Sequence, residues 1–382
     1  MTDTLVQSTK LMDGGAADPL LATEITSPAD ELKGWVVVDS LADGMAMGGT
    51  RMTESVTEAE VKGLARAMTT KLSLAGLPIG GAKAGIRAVP DRRDGVLRAF
   101  GRSVAPLLHG GVYLGCDLGT THADRDLFFT EAGYDVLRDT RIPRLPTDWA
   151  TFWKPLVDIT GFGVSVGTLA AVDSRADGAS CRVAIQGFGT VGRAVAKSLE
   201  SHGHRVVAVA DILGTVHAPQ GLPVADLLAV TDSAGTIDRR RLPDSVSVHD
   251  EPEAWLDVDA DVLVLAASGD AVRADNVERV RAGIVVEGGN LCCTPEAKAV
   301  MAARGIALVP DVVANVGGAG VTGCVLTGTV PFDLPLKQMV NWLFDWVEDR
   351  VRRNSREVLE VAAGGSDDPV ADLLAHRGKA GW

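Results

Sequence analysis

Apolar residues along the first part of the chain change period at a few clear points. The run GWVVVDS (34–40) is apolar as far as Val38 and predicts a strand, and GMAMGGTRM (44–52) predicts a glycine turn after it. Beyond that, Val61, Leu64, Ala65, Met68 and Leu72 recur at helical spacing and mark one buried stripe. Thr57 with Glu60 forms a capping-box pattern that starts this helix, and Gly76 and Pro78 stop it. Lys71 falls on the apolar face, so its ammonium must either snorkel to water or meet an anion. Next, LPIGGAKAGI (77–86) reads as a glycine-rich loop with Lys83 at its centre. The segment 112–117 reads as a strand ending in Asp117, with a helix starting near Asp124. Residues 1–28 and 364–368 have no periodic pattern and predict loose order.

The middle of the chain alternates strand and helix. Strands are predicted at 183–186, 205–211, 261–267, 284–289 and 306–313. Helices are predicted from the GFGTVG run to about His202, at 275–282 and at 295–304, the last opened by Thr294-Pro295-Glu296. Such alternation indicates a mostly parallel sheet covered by helices on both faces. The last 50 residues read as helical, and the stripe Leu336, Val340, Leu343, Val347 and Val351 is expected to pack back across the first domain. The fold class is therefore α/β in two domains. Residues 1–158, completed by 333–382, form an α/β substrate-binding and oligomerisation domain, and 159–332 form a Rossmann-like dinucleotide-binding domain.

Composition narrows the function. Apolar residues make up 46% and charged residues 23% of the 382, ordinary for a soluble α/β enzyme. A formal net charge of −13 argues against a nucleic-acid partner. No apolar run of about 18 residues predicts a membrane span, and the first residues do not resemble a secretory signal. Five cysteines, Cys116, Cys181, Cys292, Cys293 and Cys324, fit no metal pattern, so reduced thiols in a cytoplasmic protein with no metal are expected. Adjacent cysteines such as Cys292 and Cys293 rarely form a redox pair.

Gly187-Phe188-Gly189-Thr190-Val191-Gly192 fits G-x-G-x-x-G between a predicted strand and helix. The first glycine allows the tight turn, the second lets a pyrophosphate approach, and the third lets helix and strand pack. The helix N-terminus adds N–H groups and partial positive charge for the phosphates. Asp211 lies 19 residues after Gly192, where an acid would take the adenosine ribose hydroxyls. No Arg or Lys follows Asp211 within twenty residues, which favours NAD over NADP. Ala266 and Ala267, ending the strand at 261–267, complete the candidate cofactor contacts. A glycine turn without a ligand is the alternative reading of the same run.

A lysine among glycines lets backbone crowd around it and around any ligand. Burial of Lys83 beside Lys71 would depress its pKa, and Asp117 at a strand end is placed to relay a proton. A solvated loop lysine is the alternative. The successive segments GGTRM (48–52), MTTKLSLAGLPIGGAKAGI (68–86), CDLGTT (116–121), KPLVDITGFGV (154–164), VVEGGNLCCTPEA (285–297) and VPDVVANVGG (309–318) resemble, in order, the signatures of the glutamate/leucine/phenylalanine/valine dehydrogenase family. The resemblance spans roughly 34 to 325.

The resemblance implies that Lys71 binds the substrate α-carboxylate, that Lys83 and Asp117 are catalytic, and that Gly48 and Gly49 offer backbone contacts to that carboxylate. Thr160, Asn290 and Asn315 sit where the family orders the nicotinamide and its ribose, Thr160 counting also on the substrate side. It further implies catalysis in a cleft between domains and a homo-oligomer. The reaction expected is oxidative deamination of an L-amino acid to a 2-oxo acid and ammonia, or its reverse. The family's glutamate enzymes carry a lysine before the GG-x-R signature; here that position is Met47, which disfavours a carboxylate side chain. Ala319 leaves room in the side-chain pocket, and Thr322 adds a hydroxyl that bonds either a substrate polar group or its own helix. An aliphatic or aromatic amino acid is expected. The rivals are a glutamate dehydrogenase, a dehydrogenase of an unusual amino acid, and a non-catalytic NAD-binding sensor.

Overall fold

The computed structural model describes residues 18–143, 145–175, 179–267 and 269–379. Contacts divide the chain into two compact units. One holds residues up to 144, 323–329 and from 370 onward; the other holds 145–322 and 330–369.

The first unit is built on five strands: β1 (Leu21–Ser27), β2 (Leu32–Val38), β3 (Ala46–Thr53), β4 (Gly80–Arg87) and β5 (Val112–Cys116), in the order β1-β2-β4-β3-β5. β3 runs parallel to β4 and β5, while β2 runs antiparallel to its neighbours β1 and β4. Helices α1 (Glu58–Leu74), α2 (Arg93–His109) and α3 (His122–Glu131) belong to it, joined by a helix from the end of the chain. The α1 stripe Val61, Leu64, Ala65, Met68 and Leu72 is buried as its period requires. Thr57 Oγ1 accepts the Glu60 N–H at 3.2 Å, but the Glu60 carboxylate is taken by Arg51.

Three expectations are corrected here. Residues 21–27 are not loose but pair with β2 along their whole length, and the earlier part of the N-terminal stretch lies outside the described residues. The glycine segments 44–52 and 77–86 are mostly strand, β3 from Ala46 and β4 from Gly80, rather than a turn and a loop throughout. Their glycines are there for contact. A Cβ on Gly81 would stand 2.2 Å from the Thr69 backbone nitrogen, so α1 lies directly on β4. Close approach overrides glycine's low strand propensity.

The second unit carries β6 (Arg182–Gln186), β7 (Arg205–Asp211), β8 (Gly214–His217), β9 (Ser247–His249), β10 (Val262–Leu265), β11 (Ile284–Glu287) and β12 (Ala307–Val309). Their order is β12-β11-β10-β6-β7-β8-β9, parallel from β12 to β7, with β8 and β9 added antiparallel. Its helices are α4 (Trp149–Trp153), α5 (Ile159–Asp173), α6 (Thr190–Ser201), α7 (Val224–Ala229), α8 (Pro295–Ala303), α9 (Asp311–Ala314), α10 (Val316–Leu326, whose last residues count with the first unit) and α11 (Leu336–Ala363). The strand expected over 306–313 ends at Val309, because Asp311 starts a helix, and the helix expected at 275–282 is one 3-10 turn, Val277–Arg279.

The α11 stripe does not return to the first unit. Gly163 and Gly167 on α5 leave room for Val347 and Val351, so the long helix seals the second unit. Leu343, Val347 and Val351 are buried together with Met339, Trp346 and Val358, while Leu336 and Val340 are half-buried. The last helix, α12 (Pro369–Lys379), counts with the first unit, where the Arg377 guanidinium donates to the Leu74 carbonyl at 3.0 Å. Trp149–Asp173 is long and apolar enough to cross a membrane by composition, contrary to expectation, but its apolar window is 67% buried inside the protein.

Candidate active site

The candidate chemical residues of the first unit sit on adjacent elements. Lys83 on β4 pairs in register with Val37, and Asp117 directly follows β5, whose Cys116 pairs with Thr50 of β3. β3 therefore runs between them, and its glycines let them meet. A Cβ on Gly48 would stand 1.6 Å from the Ala82 carbonyl oxygen, and one on Gly49 would stand 2.8 Å from Asp117 Cβ. Lys83 Nζ lies 3.0 Å from Asp117 Oδ1, the two side chains being 4% and 13% exposed. The lysine of the supposed loop is thus a buried strand residue in an ion pair.

Lys71, also buried, lies in the last turn of α1. A polar network fixes that helix to the sheet. Thr69 Oγ1 donates to Asp39 Oδ2 at 2.5 Å, Arg66 Nε donates to Asp39 Oδ1 at 2.7 Å, and the Gly81 N–H donates to Ser40 Oγ at 3.1 Å. Lys71 and Lys83 therefore ride on one braced assembly.

Sequence reasoning did not single out Arg51. Its Nε donates to Asp117 Oδ2 at 2.8 Å, and its Nη1 donates to Glu60 Oε1 at 2.6 Å. Burial pushes the Asp117 carboxyl up, but Lys83 and then Arg51 outweigh it and hold the group down at about 2. At neutral pH Asp117 is a carboxylate, able to accept a proton.

Met47 is 2% exposed on β3, between Gly81 of β4 and Tyr113 of β5. Its Sδ lies 3.5 Å from where a Cβ on Gly323 would stand, in a spot shared with Leu72 and Leu77. Thr322 on α10 donates its hydroxyl to the Gly318 carbonyl at 3.0 Å, so the hydroxyl serves its own helix; Ala319 on the same helix is half-buried.

The glycine run of the second unit adopts the geometry its spacing requires. Gly187 has φ +95°, and a Cβ there would meet Ala266 O and Ala267 Cβ at 2.7 Å, which shows what those two alanines pack against. A Cβ on Gly192 would stand 2.0 Å from Gly187 O, whereas one on Gly189 would meet nothing within 4 Å. Open space therefore lies in front of the glycine that a pyrophosphate must approach. α6 begins there without a side-chain cap, leaving N–H groups at Thr190 and Val191 for an anion. Phe188 is 1% exposed and belongs to the core rather than to the ligand side. These residues fit a dinucleotide.

Asn315 Nδ2 donates to the Gly288 and Gly289 carbonyls at 3.2 and 3.1 Å and to Asn290 Oδ1 at 3.0 Å, so the two candidate asparagines hold one loop. Thr160 Oγ1 accepts the Gly318 N–H at 3.1 Å. Beneath that loop, the fully buried Glu287 carboxylate accepts from Lys298 Nζ at 2.8 Å, the Cys293 N–H at 2.8 Å and the Asp311 N–H at 3.2 Å. Asp211 is occupied within its own unit by Arg239. The five cysteines stand as thiols, and burial pushes the Cys116 thiol up to about 11 and Cys292 and Cys293 higher still.

Comparison with known families gives two matches in chain order. The model for Glu/Leu/Phe/Val dehydrogenase, dimerisation domain, matches residues 23–132, and that for Glutamate/Leucine/Phenylalanine/Valine dehydrogenase matches 156–332. The chain belongs to the glutamate/leucine/phenylalanine/valine dehydrogenase family. It is similar to the glutamate dehydrogenase of Thermotoga maritima, 34% identical over 76% of this chain and 71% of that protein. It is also similar to the NADP(+)-dependent glutamate dehydrogenase of Pyrobaculum calidifontis, 33% identical over 86% of this chain and 77% of that one. The NAD-specific glutamate dehydrogenase of Staphylococcus aureus is 31% identical over 88% of this chain and 78% of its own. Among solved structures, the hetero-hexameric glutamate dehydrogenase from Thermus thermophilus, in its leucine-bound form, matches with a TM-score of 0.77 and 29% identity, over 95% of this chain and 89% of that one.

A member of the glutamate/leucine/phenylalanine/valine dehydrogenase family, the chain is an NAD(P)-dependent amino acid dehydrogenase acting on CH–NH2 donors. Its named relatives are glutamate dehydrogenases, which backs the glutamate alternative over the aliphatic or aromatic one, and they include both NAD- and NADP-linked enzymes. Glu287 was within sight of the sequence: an acid ending an apolar strand cannot be buried without partners, and a lysine follows eleven residues on.

Proposed function

We propose that this dehydrogenase oxidatively deaminates an L-amino acid with an uncharged side chain. Met47 carries the reading on the side chain. A γ-carboxylate beside a thioether, Leu72 and Leu77 would lack the cation that its desolvation demands. Thr322 supports the same reading, since its hydroxyl hydrogen is already donated to Gly318. Glutamate is the second reading, supported by the names of the relatives.

In the mechanism we propose, Lys71 binds the α-carboxylate, and Gly48 and Gly49 add backbone contacts. Bound NAD(P) supplies the hydride acceptor. Lys83 donates to the oxygen that water contributes when it adds to the imine carbon, and stabilises the negative charge that gathers on that oxygen as the carbinolamine collapses to the 2-oxo acid. Asp117, ionised and 3.0 Å from Lys83 Nζ, takes the proton that water releases and returns one to the departing ammonia. Thr160, Asn290 and Asn315 are assigned to the nicotinamide end. A homo-oligomer belongs to the same proposal, supported by the match to a dimerisation-domain model and checked by light scattering.

The test is steady-state oxidation of all twenty amino acids with both nucleotides, beside Lys83→Ala. An aliphatic or aromatic substrate with the highest kcat/KM, and a silent variant that still binds nucleotide, is the expected outcome. Glutamate as the best substrate would overturn the reading of Met47. Turnover surviving in Lys83→Ala would overturn the assignment of the lysine.

A further inference from the structure

Asp211 stands where a dinucleotide fold places its ribose-binding acid, at the end of the second strand after the glycine run. Its carboxylate, however, faces inward. Oδ1 accepts the Leu213 N–H at 2.8 Å and Arg239 Nη2 at 2.6 Å; Oδ2 accepts the Ile237 N–H at 2.7 Å and Arg239 Nη1. Four donors fill the roughly four acceptor sites of a carboxylate. The acid side chain is 3% exposed, and the arginine beside it is 17% exposed. The first of these bonds closes the two-residue Ile212-Leu213 turn between β7 and β8; the arginine also donates to Ile237 O at 2.9 Å and Gly214 O at 3.2 Å.

An acid at this place selects NAD in two ways. It accepts hydrogen bonds from the ribose hydroxyls, and its bare charge repels a 2′-phosphate. In this chain the acceptor sites are taken and the charge is cancelled by a bidentate guanidinium. The sequence missed this because Arg239 lies 28 residues beyond Asp211, on a separate 3-10 turn, Arg239–Arg241.

We propose that the Asp211–Arg239 pair makes the adenosine-ribose end of this site electrically neutral, so that the chain does not exclude a 2′-phosphate and binds NADP(H) about as well as NAD(H). The proposal rests on the dinucleotide reading of the second unit and replaces the expected preference for NAD.

It is tested by calorimetric titration of the full chain with NAD, NADP, adenosine 5′-monophosphate and adenosine 2′,5′-bisphosphate, without any amino acid. The 2′-phosphorylated member of each pair is expected to bind no more than about tenfold more weakly than its partner. Arg239→Met, which uncovers the carboxylate, should weaken NADP at least about tenfold while moving NAD less than about threefold. If that variant fails to fold, the wild-type ratios decide alone. A wild-type NADP Kd more than about tenfold above that of NAD overturns the neutral-pair proposal and leaves the dehydrogenase reading standing. Binding of none of the four ligands overturns both.

Discussion

Replacing Arg51 by Met removes one of the two cations that hold Asp117 ionised. The guanidinium donates at 2.8 Å to Asp117 and at 2.6 Å to Glu60, and the aspartate side chain is 13% exposed. The carboxyl is lowered from 3.8 to about 2, a gap of nearly two units. At about 1.36 kcal/mol per pH unit this is on the order of 2–3 kcal/mol of preference for the charged form. Since the folded value lies below the unfolded one, that contribution is fully present above about pH 4 and is lost as pH falls toward 2. In Arg51→Met only Lys83 opposes burial, so the folded value rises and the contribution shrinks. Urea unfolding of wild type, Arg51→Met, Asp117→Asn and the double variant isolates the coupling from the packing lost with the arginine. We expect a coupling of about 1–2 kcal/mol near pH 6 that fades below about pH 3. A coupling below about 0.3 kcal/mol, or one that stays constant over this range, would refute the electrostatic account of this site.

Two further substitutions probe the scaffold. Gly48→Ala places a methyl 1.6 Å from the Ala82 carbonyl, so a loss of about 4 kcal/mol or more is expected by denaturant unfolding, whereas Gly95→Ala, with nothing within 4 Å, should stabilise α2 by about 0.5–1 kcal/mol. Glu287→Gln turns one carboxylate oxygen into an amide donor facing the N–H and ammonium donors, costing about 2–4 kcal/mol and weakening nucleotide binding through the loop that Asn315 holds. An unchanged unfolding midpoint would show that the buried acid is dispensable.

Local patterns were readable where partners lie close in sequence. The α1 stripe, the Thr57 cap, the Thr294-Pro295 helix start and the turn geometry of Gly187 follow from periods and offsets within a few residues. The glycines of β3 and β4 were misread because a missing Cβ signals either a turn or close approach, and only the neighbouring strand distinguishes them. Arg51 is not legible because its carboxylate partner lies 66 residues away, nor is Arg239, which returns to Asp211 from 28 residues on. The placement of α11 failed for another reason. An apolar stripe shows that a helix is buried but not against what, and it was Gly163 and Gly167 on α5 that settled the question.

The polypeptide length between Ala46 and Thr53 is under a constraint that its composition is not. Lys83 and Asp117 meet across β3 only because three parallel neighbours share one alignment, with Thr50 opposite both Ala84 and Cys116. Shifting a strand by one residue exchanges its two faces, which would send the ammonium to the other side of the sheet. Insertions or deletions within the strand are therefore excluded in a way that substitutions at Met47 are not. Descendants of this chain can exchange side chains along β3, but cannot lengthen or shorten it.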